Sequence, residues 1–184
     1  MSCVNRTMVS SAPSARRHDP SLTIMIDAAT ATARTELAAF DRALVALGAE
    51  NRNLIRLSSV IPPATTILRA PTLDGGEWGD RLYVVYAEQC ATDRGAEAWA
   101  GVGWVQHEGT GAGLFVEHEG GSQDEVRSLI SDSLAELQAS RGIDLGTTRM
   151  LVTGIRCEGD PVCALVLAAY GSESWDAISP ASRC

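Results

Sequence analysis

No lysine occurs among the 184 residues; all 15 basic side chains are arginine. That absence removes the P-loop lysine, Ser–Lys dyads and the protein-kinase lysine. It also removes the lysine on which pyridoxal phosphate enzymes and other amine–carbonyl catalysts depend. Histidine is scarce too: His18, His107 and His118 have no HxxxH spacing, so no metal centre is expected. Five cysteines (Cys3, Cys90, Cys157, Cys163, Cys184) form no CxxC, and their odd number reads as small buried or idle thiols. No apolar run reaches the length of a membrane-spanning helix, and no signal-type apolar core follows the N-terminus. The expected location is cytoplasmic. A formal net charge of −8 opposes non-specific nucleic-acid binding and an anionic membrane surface.

What is present fits one globular domain: 45% hydrophobic and 21% charged residues over a length that buries a single core. Residues 1–20 lack periodicity and read as a disordered tail. A strand is expected at 21–30, then an amphipathic helix at 35–49 with Leu37, Phe40, Leu44 and Leu47 on its apolar face and Gly48 as its stop. Further strands are expected at 53–61, 81–90, 96–108 and 111–120, with 62–80 as a loop and "GTG" at 109–111 as a hairpin turn. A strand follows "GTGAG" where a dinucleotide loop needs a helix, so that motif fails its context. Residues 122–142 form the strongest helix, with a Ser122/Glu125 capping box and a stripe of Val126, Leu129, Ile130, Leu134 and Leu137. Strands at 148–159 and 161–171 close the domain, and 172–184 reads as a tail. The fold class is α+β: a layered αββα-type sandwich with largely antiparallel sheets and two main helices.

The stretch "NRNLIRLSSVIPP" (51–63) carries the chemistry. Two adjacent hydroxyls, Ser58 and Ser59, interrupt an apolar strand before Pro62 and Pro63. Such a pair can simply bond to nearby backbone, and no GxSxG elbow supports a hydrolase. The pair can also act on itself. If the Ser59 hydroxyl attacks the Ser58 carbonyl, the peptide becomes an ester. Elimination across Ser59 then breaks the chain, and hydrolysis of the resulting dehydroalanine leaves a pyruvoyl ketone. That rearrangement needs local strain and stabilisation of a developing oxyanion.

The run "AFDRALVALGAENRNLIRLSSVIPP" resembles the pyruvoyl-dependent arginine decarboxylases, whose Asn–Leu–Ile–x–x–Ser–Ser–x–x–Pro–Pro block marks a self-cleavage site. A second run, "GLFVEHEGGSQDEV" (113–126), is similar to that family's Gly–Leu–x–x–Glu–x–x–Gly segment before its long helix. Element order agrees from about residue 22 to 171. The resemblance implies cleavage of the 21–171 domain after Ser58, into a β chain (1–58) and an α chain (59–184) that begins with a pyruvoyl group made from Ser59. It implies that Asn53 serves processing and site geometry, and that Glu117 is the catalytic proton donor. Glu119 shares its face and His118 the opposite one. Decarboxylation would run through a Schiff base between substrate amine and ketone, with no pyridoxal phosphate and no metal. Family members assemble as trimers or pairs of trimers, so a homo-oligomer of processed protomers is implied.

The substrate reading rests on two residues. Asp41 matches the aspartate that contacts a guanidinium, a bidentate fit that favours arginine and an agmatine product. The connection before the strand, usually small or apolar in that family, is here Glu50, Asn51 and Arg52, and Arg52 bears on the substrate. Facing the site, it would repel arginine and favour an acidic substrate such as aspartate; facing solvent, it leaves the arginine reading intact. An uncut, non-catalytic relative with a binding or structural role is the alternative of a different class.

Overall fold

The structure, a computed structural model, describes residues 21–70 and 76–175. The expected tail at 1–20 and the part of the C-terminal tail beyond 175 lie outside these. The elements are β1 (Leu22–Thr32), α1 (Glu36–Ala46), β2 (Asn53–Arg56), β3 (Val60–Ile61), β4 (Thr65–Arg69) and β5 (Arg81–Ala91). They continue with β6 (Glu97–Gln106), β7 (Gly113–Gly120), α2 (Gln123–Arg141), β8 (Arg149–Arg156) and β9 (Val162–Glu173).

The run "VCALVLAAY" has no polar alternation, the pattern of a strand covered on both faces. It forms most of β9, the centre of a five-stranded sheet of order β2-β5-β9-β1-β4. Leu165, Leu167 and Ala169 pack under Ala43, Leu44 and Leu47 from the α1 segment. On the other face, Ala164, Val166 and Ala168 meet Ala98, Ala100 and Phe115 of a second sheet, ordered β3-β7-β6-β8. The outer face of that sheet takes Val126, Ile130 and Leu134 of α2. Each such side chain contributes about 1.5–3 kcal/mol by leaving water. Gly103 lets α2 sit this close, because a Cβ there would overlap Ile130. The layers are therefore α1, sheet, sheet, α2, as the sequence implies. Pairing is antiparallel except β1 with β4 and β2 with β5.

Both helices start on a hydroxyl cap, of which Ser122 is the expected one. The Thr35 hydroxyl accepts Ala38 N–H at 3.2 Å, and the Ser122 hydroxyl accepts Glu125 N–H at 3.2 Å. Glu125 reaches back to Gly121 N–H at 3.0 Å, one residue before the position a capping box would use. Two stripe residues differ from expectation: Leu37 is 77% exposed, since small Ala39 and Ala43 bring α1 down on its sheet instead, and Leu129 of α2 is 38% exposed. The expected loop 62–80 contains β4, which pairs with the edge of β1.

The largest difference is in the expected strand 53–61. It is two short strands in different sheets. Leu57 N–H makes a 2.9 Å bond to Val84 of the five-stranded sheet, and Ser59 carbonyl already accepts Phe115 N–H of the other at 2.8 Å. The chain thus changes sheets across the Ser–Ser pair.

Candidate active site

Crossing between two sheets within three residues forces an unusual backbone. Ser59 has φ 63°, left-handed for a residue with a Cβ. Such a conformation costs roughly 1–2 kcal/mol relative to the right-handed one, and strain of this kind gathers where chemistry is done. The turn also aims the Ser59 side chain between the sheets. On β7, Phe115 and Glu117 face that space, Phe115 within the core and Glu117 nearer the edge. Ser59 Oγ donates to Glu117 Oε1 at 2.6 Å, a charge-assisted bond across 58 positions of sequence. The Glu117 side chain is only 12% exposed.

Two further side chains and an opening surround this pair. Arg56 Nη2 lies 3.8 Å from Glu117 Oε2. Because β2 ends at Arg56, the next edge carbonyl of β5, Tyr86, has no strand partner, and Arg56 Nη2 satisfies it at 3.0 Å. Tyr170 on β9 donates its hydroxyl to the Val60 carbonyl at 3.0 Å and packs edge-on against Phe115. Burial, and then the charge of Glu117, push the Tyr170 phenol well above its ordinary range. An opening of about 430 Å³ adjoins the pair, walled by Phe115, Val116, His118, Ser133, Glu136 and Leu137. His118 faces α2, as expected for the neighbour of Glu117, with Nε2 and the Ser133 hydroxyl 2.8 Å apart.

The other expected site residues lie elsewhere in the single chain. Ser58 precedes Ser59 in the crossover. Asn53 opens β2, where its amide donates to Gly79 carbonyl at 2.6 Å and fixes the turn before β5. Asp41 is exposed on α1, which covers the face of its sheet remote from Glu117. Arg52 turns toward the end of α1: its guanidinium donates to the Gly48 carbonyl, in the turn that follows the helix. Burial lowers the Arg52 pKa, against the opposing pull of Glu50 and Asp80. Among the described residues, no contact joins Asp41, Asn53 or Arg52 to Ser59 or Glu117, and none of the three walls the opening.

Arg56, Tyr170 and the Phe115 N–H were not singled out in the sequence. Arg56 had a usable signal, a charge inside the otherwise apolar "NLIRL". Tyr170 and Phe115 had none, since both read as core aromatics.

A pyruvoyl group at position 59 fits this neighbourhood. The hydroxyl lost in making it is the one Glu117 holds, and the carbonyl retained is already bonded to Phe115 N–H. Residues 23–174 match the family model described as pyruvoyl-dependent arginine decarboxylase. A protein named pyruvoyl-dependent arginine decarboxylase from Halobacterium salinarum is 34% identical over 147 residues, 76% of this chain and 88% of that one. Similarly named proteins from Pyrococcus furiosus and Thermococcus kodakarensis are 30% and 29% identical, over 82% and 77% of this chain and 97% and 90% of their own. The chain belongs to the pyruvoyl-dependent arginine decarboxylase family.

Proposed function

We propose that this chain cuts itself between Ser58 and Ser59 and then decarboxylates arginine to agmatine and carbon dioxide. The observation that carries the reading is the 2.6 Å bond from the left-handed Ser59 to Glu117. Glu117 is a base within reach of the hydroxyl proton, the geometry general-base catalysis requires. Taking that proton frees Ser59 Oγ to attack the Ser58 carbonyl carbon. The C–N bond breaks as the C–O bond forms, and the amine takes up a proton. Elimination then removes the Ser59 Cα proton and breaks the Cβ–Oγ bond, leaving Ser58 as a carboxylate and position 59 as dehydroalanine. Water completes the sequence by replacing the amine nitrogen, which leaves as ammonia. The left-handed φ of Ser59 disappears with its N–C bond, so cleavage also discharges backbone strain.

A pyruvoyl group supplies a ketone that takes the substrate amine and draws off the electron pair left by carbon dioxide. Around it the chain's own groups have separate tasks. Phe115 N–H stabilises negative charge on the Ser59 carbonyl oxygen, the role of an oxyanion donor. Glu117 holds a proton beside the former Oγ position and delivers it to the substrate carbon. Phe115 and Val116 keep that side of the opening apolar.

The substrate assignment draws on the family name and on Arg52. With its guanidinium turned onto Gly48, Arg52 does not oppose a cationic substrate at the opening. Asp41 and Asn53 retain their proposed roles in an assembly. Asp41 lies between the exposed Leu37 and Val45 at helical spacing, and Val60 beside the cut is also exposed. Apolar groups set around a carboxylate in this way suit an interface between copies. An oligomer with sites between subunits would let Asp41 of one copy meet the substrate at Ser59 of another. The test is product release from arginine and from aspartate by the processed protein and by Arg52→Ala. Agmatine from both, with no product from aspartate, supports the reading. Processed protein that leaves arginine untouched overturns the substrate assignment.

A further inference from the structure

The two oxygens of Glu117 have different partners. Oε1 accepts the Ser59 hydroxyl, while Oε2 faces Arg56 Nη2 at 3.8 Å. Arg56 is 54% exposed, yet it is not a loose surface arginine. Its Nη2 is bonded to the Tyr86 carbonyl, and its guanidinium lies over the Tyr86 ring, 4.9 Å from the centroid. Tyr86 in turn stacks on Phe40 of α1, with centroids 6.5 Å apart. A planar fork held by both a carbonyl and a ring face loses most of its rotational freedom before it meets a carboxylate.

We propose that Arg56 is a positioning residue for self-cleavage: it holds one oxygen of Glu117 and so turns the other onto the Ser59 hydroxyl. The inference rests on the reading of Ser59 and Glu117 as the cleavage pair. Its physical basis is charge and geometry: a guanidinium already fixed by a carbonyl and a ring face can hold a neighbouring carboxylate in one orientation.

The other groups around Glu117 do not supply that charge. Glu119 follows on the same face of β7, and Glu88 approaches from β5. Burial and Glu119 raise the Glu88 carboxyl, with Arg56 opposing them. From β9, Tyr170 stays a neutral phenol through the acid and neutral range. On the α2 side, His118 and Glu136 line the opening, and His118 is engaged with Ser133. Arg56 is the one guanidinium in the set.

The test follows conversion of freshly translated precursor into two fragments on a gel at neutral pH. No substrate is needed, so the readout is independent of decarboxylation. Arg56→Gln is expected to slow cleavage about 3- to 10-fold, modest because the pair is partly solvated. Arg56→Lys keeps the charge and loses the fork, so its rate lies between those of Arg56→Gln and wild type, a partial rescue that a purely structural role would not give. Glu88→Gln separates the direct effect from one relayed through Glu88 and is expected to leave the rate in place. If wild type cleaves, Glu117→Gln is slow, and Arg56→Gln keeps the wild-type rate, this inference falls while the cleavage reading stands. Should Arg56→Gln not fold, a wild-type rate in Arg56→Lys overturns it equally. Wild type that never cleaves removes the underlying reading itself.

Discussion

Replacing Ser59 by alanine or by glycine removes the nucleophile in both cases, yet the two uncut precursors differ in stability for a reason specific to this backbone. At φ 63° an alanine Cβ crowds the carbonyl and costs roughly 1–2 kcal/mol. Glycine escapes that cost but loses more conformational freedom on folding, a penalty of about 0.4–1 kcal/mol. Both variants lose the Ser59–Glu117 hydrogen bond, so that loss cancels in the comparison. The balance favours Ser59→Gly by about 0.5–1 kcal/mol, which for a chain of this length corresponds to about 1–4 °C in Tm. Urea titrations at one protein concentration measure the difference, with equal m-values as the check that only stability changed. An alanine variant as stable as the glycine variant, or more so, would refute the strained crossover and with it the account of strain relief on cleavage.

Three further outcomes follow from the same geometry. Glu117→Gln keeps the size of the side chain but not its basicity, and is expected to slow appearance of the two fragments by about 10²- to 10⁴-fold; intact mass over time checks this. Gly103→Ala places a methyl group into Ile130 and is expected to destabilise the fold by about 1–3 kcal/mol, read as a fall in Tm with Ser59 chemistry unaffected. Tyr170 has a folded pKa above its ordinary value near 10, so the folded state holds the proton longer than the unfolded chain does. Its contribution is complete below pH ~10 and is lost as pH rises from there through the raised folded value. Tyr170→Phe should therefore flatten the alkaline decline of stability, seen by urea titration at rising pH.

Much of the layering was legible in the sequence because burial imposes patterns. The apolar run at 161–171 marked the strand that became β9, and Ser122 with Glu125 marked the start of α2. The crossover was not legible. Leu57 before the Ser–Ser pair and Ile61 after it both pack in the inter-sheet core, so the apolar pattern reads as one strand although the backbone changes sheets between them. β4 was missed because its contacts run to β1, more than 40 positions away, and its own residues alternate poorly. Leu37 fits a helical stripe by spacing, but Ala39 and Ala43 decide which side of α1 meets the sheet. At the site, resemblance supplied Ser59 and Glu117, and their meeting between two sheets came only with the fold. Arg56 acts through the point at which β2 stops, a boundary no residue pattern fixed.

The central claim is that the chain breaks between Ser58 and Ser59, and intact mass with a carbonyl-specific label tests it most directly. The account predicts two chains, one ending at Ser58 with a free carboxylate and one starting with a labelled ketone at position 59. Their summed composition should equal the precursor with one water gained and one ammonia lost. A single unlabelled 184-residue chain, persisting on prolonged incubation of folded protein, would contradict it.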